Sequence, residues 1–105
     1  MNDFYYRKLT VYHLSKQMVA DIYNLTKRLT GKEQLALTNQ IQRAAISVPS
    51  NIAEGMGRFS LKERIHFIEI AFGSLREVMC QLEIAELIHY ISTEEREIME
   101  PQSMK

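Results

Sequence analysis

The pattern Glu-x-x-His, which binds iron in some helical bundles, occurs twice in the sequence. The first copy is Glu63 with His66, and the second is Glu86 with His89. A di-iron site needs two such copies on different helices, both facing inward, with carboxylates from two further helices. Apolar periodicity places both copies on one predicted helix, where the step from residue 63 to residue 86 spans about 35 Å. The two copies cannot share a metal, so we expect no metal site and no cofactor.

The other candidates for catalysis are equally weak. Cys80 follows the apolar position Met79 and has no histidine at helical spacing, so we interpret it as a packing cysteine. Gly55-Met56-Gly57 follows a helix rather than a strand, and Ser60 stands where a dinucleotide-binding loop needs its third glycine. No serine has a histidine and a carboxylate nearby in the sequence. We therefore predict that the protein is not an enzyme.

Polar residues cluster around a proline in the middle of the chain and face a second small, polar segment. Pro49 must bend its helix, and a serine or asparagine side chain can satisfy the carbonyl that the proline leaves free. Asn51 can hydrogen-bond to Glu54 one turn away, and Gly73 suggests that two backbones approach closely. We interpret the set as a structural network that fixes the register of the helices, and a ligand or partner site is the alternative. Its members are Ser47, Pro49, Asn51, Glu54, Gly73, Ser74 and Glu77.

Four helices must position these groups, at about residues 9–29, 33–56, 61–89 and 93–100, after an N-terminal tail at 1–8. Apolar residues recur at spacings of three and four along the first three helices. The third helix has the most regular stripe, which we expect to face the bundle. This stripe consists of Ile65, Ile68, Phe72, Leu75, Met79 and Leu82. A second apolar face near its end predicts contact with another subunit, because the fourth helix is too short to cover the others.

Composition places the chain among single-domain globular proteins. Its 105 residues are 46% apolar and 25% charged, which predicts one domain over 1–105. No apolar run is long enough to span a bilayer, no signal peptide is recognisable, and the one cysteine cannot form an internal disulfide. These features predict a cytoplasmic protein without membrane contact. The net charge is zero, but residues 1–45 carry +4 and residues 76–105 carry −4, so the two ends can pair within or between subunits.

Two segments carry a resemblance to a known family. Residues 40–55 (QIQRAAISVPSNIAEG) and 70–77 (IAFGSLRE) resemble the bacterial four helix bundle protein family, also called the 23S rRNA intervening-sequence protein family. The resemblance implies an antiparallel up-down four-helix bundle that can assemble into a homopentameric ring. Some members are encoded within insertions in ribosomal RNA genes, and a related branch, the accessory variability protein of diversity-generating retroelements, binds nucleic acid and a reverse transcriptase. This chain departs from the pattern at Gln42, where members commonly have a basic residue, and in its short fourth helix.

The functional hypothesis combines these observations. We predict an all-α, antiparallel up-down four-helix bundle with a short fourth helix, acting as a non-enzymatic homo-oligomer. It would bind RNA or DNA, or a nucleic-acid-processing protein, and no small-molecule substrate is expected. The candidate contacts to phosphate are Arg43, Arg58, Lys62 and Arg64, since basic groups on one surface can track a nucleic-acid backbone. The alternative is a scaffold that assembles with protein alone and binds no nucleic acid.

Overall fold

The computed structural model describes residues 4–100 and confirms an all-α fold with four helices, the fourth of them short. The helices are α1 (Thr10–Thr26), α2 (Lys32–Met56), α3 (Leu61–Leu87) and α4 (Thr93–Met99), preceded by a 3-10 helix at Tyr5–Lys8. No strand occurs within the described residues. The predicted tail is therefore partly helical, and its residues 1–3 lie outside the described part. None of the described helices is long and apolar enough to cross a membrane.

Helix α2 is the centre of the fold. Both α1 and α3 run antiparallel to it and pack along it, but their backbones do not meet each other directly within the described chain. The predicted apolar stripe of α2 is confirmed, because Ile41, Ala45, Val48 and Ile52 are all buried. Helix α1 ends at Thr26 rather than at residue 29, and the chain then turns so that Leu29 still enters the core.

The predicted packing face of α3 is correct only in part, since Leu82 is buried and Ile68, Leu75 and Met79 pack against the core. The buried residues of α3 are Ala71, Ser74, Val78, Leu82 and Ala85. Two members of the predicted stripe remain largely exposed, Ile65 at 48% and Phe72 at 54%. Small side chains on both helices explain the difference, because they let α2 and α3 approach closely and leave the larger residues at the edge of the contact.

The close approach of α2 and α3 occurs at Gly55, whereas the sequence predicts it at Gly73. A Cβ atom added at Gly55 would lie 2.9 Å from Cβ of Phe67 and 3.2 Å from the carbonyl oxygen of Arg64. At Gly73 the nearest heavy atom would be a guanidinium nitrogen of Arg76, 3.9 Å away. Gly55 therefore sets the separation of the two helices beside their connecting turn, while a Cβ at Gly73 would make only an ordinary contact with a side chain of its own helix.

Helix α4 is docked through polar contacts at one end of the bundle. The side chain of Ser92 accepts a hydrogen bond from the backbone N–H of Glu95, and the Glu95 carboxylate accepts one from the Ser92 backbone. Arg28 binds the same carboxylate, and Arg96 forms an ion pair with Glu86 of α3. The Arg28–Glu95 pair thus joins the basic and the acidic segments of the chain within one subunit. Seven residues of helix measure only about 10 Å, so α4 covers one end of the gap between α1 and α3.

Candidate functional site

Three of the four predicted phosphate-binding residues, Arg58, Lys62 and Arg64, lie together at the turn between α2 and α3. Gly57 caps the end of α2, and its N–H donates to the carbonyl oxygen of Glu54. Ser60 caps the start of α3, and its hydroxyl oxygen accepts a hydrogen bond from the N–H of Glu63. Because the end of α2 and the start of α3 are both capped, the connection between them is limited to residues 57–60. This short turn brings the three side chains to one end of the bundle.

Two of these basic side chains also hold the turn together. Arg58 forms an ion pair with Glu54, and its guanidinium lies 4.9 Å from the ring centroid of Phe67. Arg64 donates from Nε to the carbonyl oxygen of Arg58 at 2.6 Å and is half-buried. Lys62 is exposed and has no ion pair within residues 4–100. The turn therefore presents one unpaired ammonium and two guanidinium groups whose positions are fixed by the fold.

Arg43 lies apart from this turn. It is thirteen residues before Met56 on α2, a distance of about 20 Å along the helix axis. Its side chain lines a polar groove of about 330 Å³ between α2 and α3, opposite Glu77 and Gln81. The structure does not bring Arg43 into one patch with the other three basic residues.

Hydrogen bonds connect three members of the predicted polar network to one another. The Asn51 amide donates to the carbonyl oxygen and the hydroxyl oxygen of Ser47, at 2.8 and 2.9 Å. Ser74 donates to the same hydroxyl at 2.8 Å and so links α3 to α2. The carbonyl four residues before Pro49 belongs to Ala45, so Asn51 does not satisfy the group that the proline leaves free.

The remaining members of that set have other surroundings. Glu54 pairs with Arg58 instead of Asn51, and Glu77 is exposed at the polar groove without a hydrogen bond in the described chain. A Cβ at Gly73 would meet only the side chain of Arg76, at 3.9 Å. Pro49 is buried within α2, and the helix runs through it without interruption. The network is therefore smaller than predicted, and it connects two helices through hydroxyl groups.

The residues considered for catalysis are dispersed. Among residues 4–100, no three histidine, cysteine or acidic side chains lie close enough together to hold a metal ion. The ring of His66 packs edge-on against Phe67, and His89 lies just beyond α3 with a positive φ of 64°. Cys80 is exposed, so its interpretation as a packing residue is wrong. Its position in α3 lies between the buried positions Val78 and Leu82, on the opposite side of the helix.

Two exposed apolar surfaces remain on the bundle. The first, here called the gap surface, comprises exposed apolar residues of α1 and of α3, the two helices that flank α2. It consists of Val11, Leu14, Ile65 and Phe72, exposed by 51%, 66%, 48% and 54%. The second, here called the α3 surface, lies on the other side of α3 beside the polar groove. It consists of Ile70, Ile84 and Ile88, exposed by 38%, 42% and 44%.

A comparison with protein families identifies the chain. The model of the 23S rRNA-intervening sequence protein family matches residues 7–104. The chain belongs to this family. A comparison with curated proteins finds no significant match. The match includes all four helices, so the family assignment covers both the helical core and the α2–α3 turn.

In this member of the 23S rRNA-intervening sequence protein family, one candidate contact residue at the turn is not among those predicted from the sequence. Phe59 lies between Arg58 and Ser60, and 93% of it is exposed. It belongs to no apolar stripe, so periodicity gave no reason to select it. The available signal was a large aromatic residue inside a four-residue connection, with Arg58 directly before it and Lys62 three residues after it.

Proposed function

We propose that the protein is a non-enzymatic, homo-oligomeric interaction module of the cytoplasm that binds nucleic acid at its α2–α3 turn. The observation that carries the proposal is the collection of Arg58, Lys62 and Arg64 at one end of the bundle. Cationic side chains on a fixed surface attract phosphates by releasing the counterions condensed on nucleic acid. The family description refers to an intervening sequence of 23S rRNA and is compatible with this partner class, although it names no binding partner.

Self-association is supported by the gap surface and the α3 surface. Each has several large apolar side chains that are one third to two thirds exposed. Contiguous apolar patches of this kind on a small protein commonly mark a contact with another protein. Because the two surfaces lie on different sides of α3, one can contact the other on a neighbouring copy, and such head-to-tail contacts generate a ring where the rotation between copies closes. The family resemblance leads us to propose five subunits.

The first experiment measures the mass in solution together with the ratio of absorbance at 260 and 280 nm. A mass of five subunits with nucleic acid bound supports the whole proposal. Binding of labelled RNA and DNA is then measured at 50 and 200 mM salt, since phosphate contacts predict a steep loss of affinity. Absence of binding at the lower concentration, or an affinity that salt does not change, contradicts the nucleic-acid part.

The alternative function is a protein-only scaffold, and one observation favours it. Glu54 neutralises Arg58, and Arg64 is engaged in a hydrogen bond within the turn, so the basic end is weaker than three cations suggest. A scaffold predicts self-association of nuclease-treated protein and no salt-dependent binding to RNA or DNA. The salt titration therefore separates the two functions.

A further inference from the structure

Phe59 is the most exposed of the large apolar side chains that the structure describes, at 93%. It stands at the tip of the α2–α3 turn, and no ring or cation contact to it occurs within residues 4–100. An aromatic side chain left almost wholly in water contributes nothing to the core of the subunit. Its position therefore suggests a contact made outside the subunit.

The exposure of Phe59 is imposed by a firmly held turn. On one side, Gly55 packs against Phe67, and the Arg58 guanidinium lies on the ring of the same phenylalanine. On the other side, Ser60 caps α3. Arg64 binds the carbonyl oxygen of Arg58, directly before Phe59. A rigid backbone that presents an aromatic ring loses little conformational entropy when the ring binds a partner.

The groups around Phe59 favour one type of partner. Arg58 precedes it, and Lys62 and Arg64 follow within five residues, at the positive end of the 27-residue helix α3. An apolar protein surface would leave the ammonium of Lys62 without a counter-ion. A chain with a flat base and an anionic backbone complements both the ring and the cations, because bases stack on aromatic side chains while phosphates bind the basic groups.

We propose that Phe59 stacks on an unpaired nucleobase while Lys62 and Arg64 contact the neighbouring phosphates, so that this end of the bundle binds single-stranded nucleic acid. The inference rests on the nucleic-acid function proposed above and names the form of nucleic acid that is bound. In a duplex the bases are stacked on each other and are closed to a side chain on a convex turn. Single strands expose them.

The test compares the wild type with Phe59→Ala and Phe59→Trp in binding to a fluorescein-labelled oligouridine of twenty nucleotides and to a duplex of the same length. We expect Phe59→Ala to weaken binding to the single strand by about 5- to 100-fold, the range for loss of one stacked base. Phe59→Trp retains the affinity. Ile98→Ala, which removes another apolar side chain that is 78% exposed at the opposite end of the bundle, serves as the matched control and leaves binding unchanged.

The outcomes distinguish this inference from the function on which it rests. If the wild type binds neither oligonucleotide at low salt, the nucleic-acid function and the stacking role both fail. If the wild type binds and Phe59→Ala binds equally well, or if the duplex is preferred, the stacking role alone is overturned. If Phe59→Ala changes the mass of the oligomer but leaves the RNA affinity unchanged, the stacking role is also overturned, because Phe59 is then a contact between proteins. Since 93% of Phe59 is exposed, circular dichroism should show the same folded helix content in all variants.

Discussion

Arg28, just beyond α1, binds both carboxylate oxygens of Glu95 in the first turn of α4. The two residues are 67 positions apart in the sequence. Their pairing joins the turn after α1 to the last helix of the described chain. The guanidinium and the backbone N–H of Ser92 together hold the pKa of Glu95 at about 2.

This pairing predicts how stability depends on pH. Because the pKa of Glu95 is lower in the folded than in the unfolded state, its contribution is present above about pH 4.5 and is lost as the pH falls towards 2. Hydrogen bonds from Thr93 and Arg96 lower the pKa of Glu86 as well, so both carboxylates act in the same direction. We expect Glu95→Gln to reduce the loss of stability between pH 4.5 and 2.5, measured by urea unfolding. The stabilisation at neutral pH is at most about 1 kcal/mol, because the pair is solvent-exposed. Equal pH profiles for both proteins would contradict this assignment.

Gly55→Ala should destabilise the protein. The new Cβ would lie too close to Phe67 and to the backbone of Arg64, and we expect a loss of about 1–3 kcal/mol from overpacking. Gly73→Ala is the matched control, since it places the same methyl group within α3 where it meets only the flexible side chain of Arg76, and it should stabilise the helix by about 1 kcal/mol. Urea unfolding at one fixed protein concentration measures both. Equal effects of the two substitutions would mean that Gly55 does not set the separation of the helices.

Ser74→Ala removes the hydroxyl that links α3 to Ser47 on α2. We expect a loss of about 1 kcal/mol, the usual net value of one such hydrogen bond. Ser50→Ala, at an exposed position of α2, should change stability by less than about 0.5 kcal/mol. If both substitutions had the same small effect, the Ser47–Ser74 contact would not contribute to stability.

Phe72→Glu tests whether the gap surface is a subunit contact. A carboxylate in the middle of an apolar interface costs its desolvation energy, so we expect the variant to lose subunits while retaining its helix content. Light scattering after size-exclusion chromatography gives the mass, and circular dichroism gives the fold. Tyr23→Glu, on the exposed outer side of α1 at 40% exposure, is the control that keeps the wild-type mass. An unchanged mass for Phe72→Glu would exclude this surface from the assembly.

Much of the fold could be predicted because its signals are local. The stripe on α2 depends only on spacing along one helix, and Ile41, Ala45, Val48 and Ile52 are buried as that spacing predicts. The packing face of α3 is predicted only in part, because large apolar side chains occur on two sides of that helix. The choice between them depends on how closely α2 approaches, which in turn depends on small residues such as Ala44 and Ala71.

The candidate site was less predictable for a related reason. The sequence prediction placed Arg43 on one surface with Arg58, Lys62 and Arg64, whereas the structure groups only the last three at the turn. The sequence also gave no information on which of them form ion pairs inside the subunit. Two glycines at helical positions look alike in a sequence, and only the neighbouring helix distinguishes Gly55 from Gly73. Phe59 could not be chosen by periodicity, because its exposure follows from the three-dimensional path of a short turn.

The central position of α2 also has a consequence for the order of folding. Its main backbone contacts are with α1 and α3, the helices directly before and after it in the sequence. Such short loop closures favour rapid folding. The α2–α3 hairpin has the more extensive contact and is the natural nucleus, with α1 and α4 docking afterwards. Substitutions between α2 and α3 should therefore slow folding, and those that loosen α4 should chiefly accelerate unfolding.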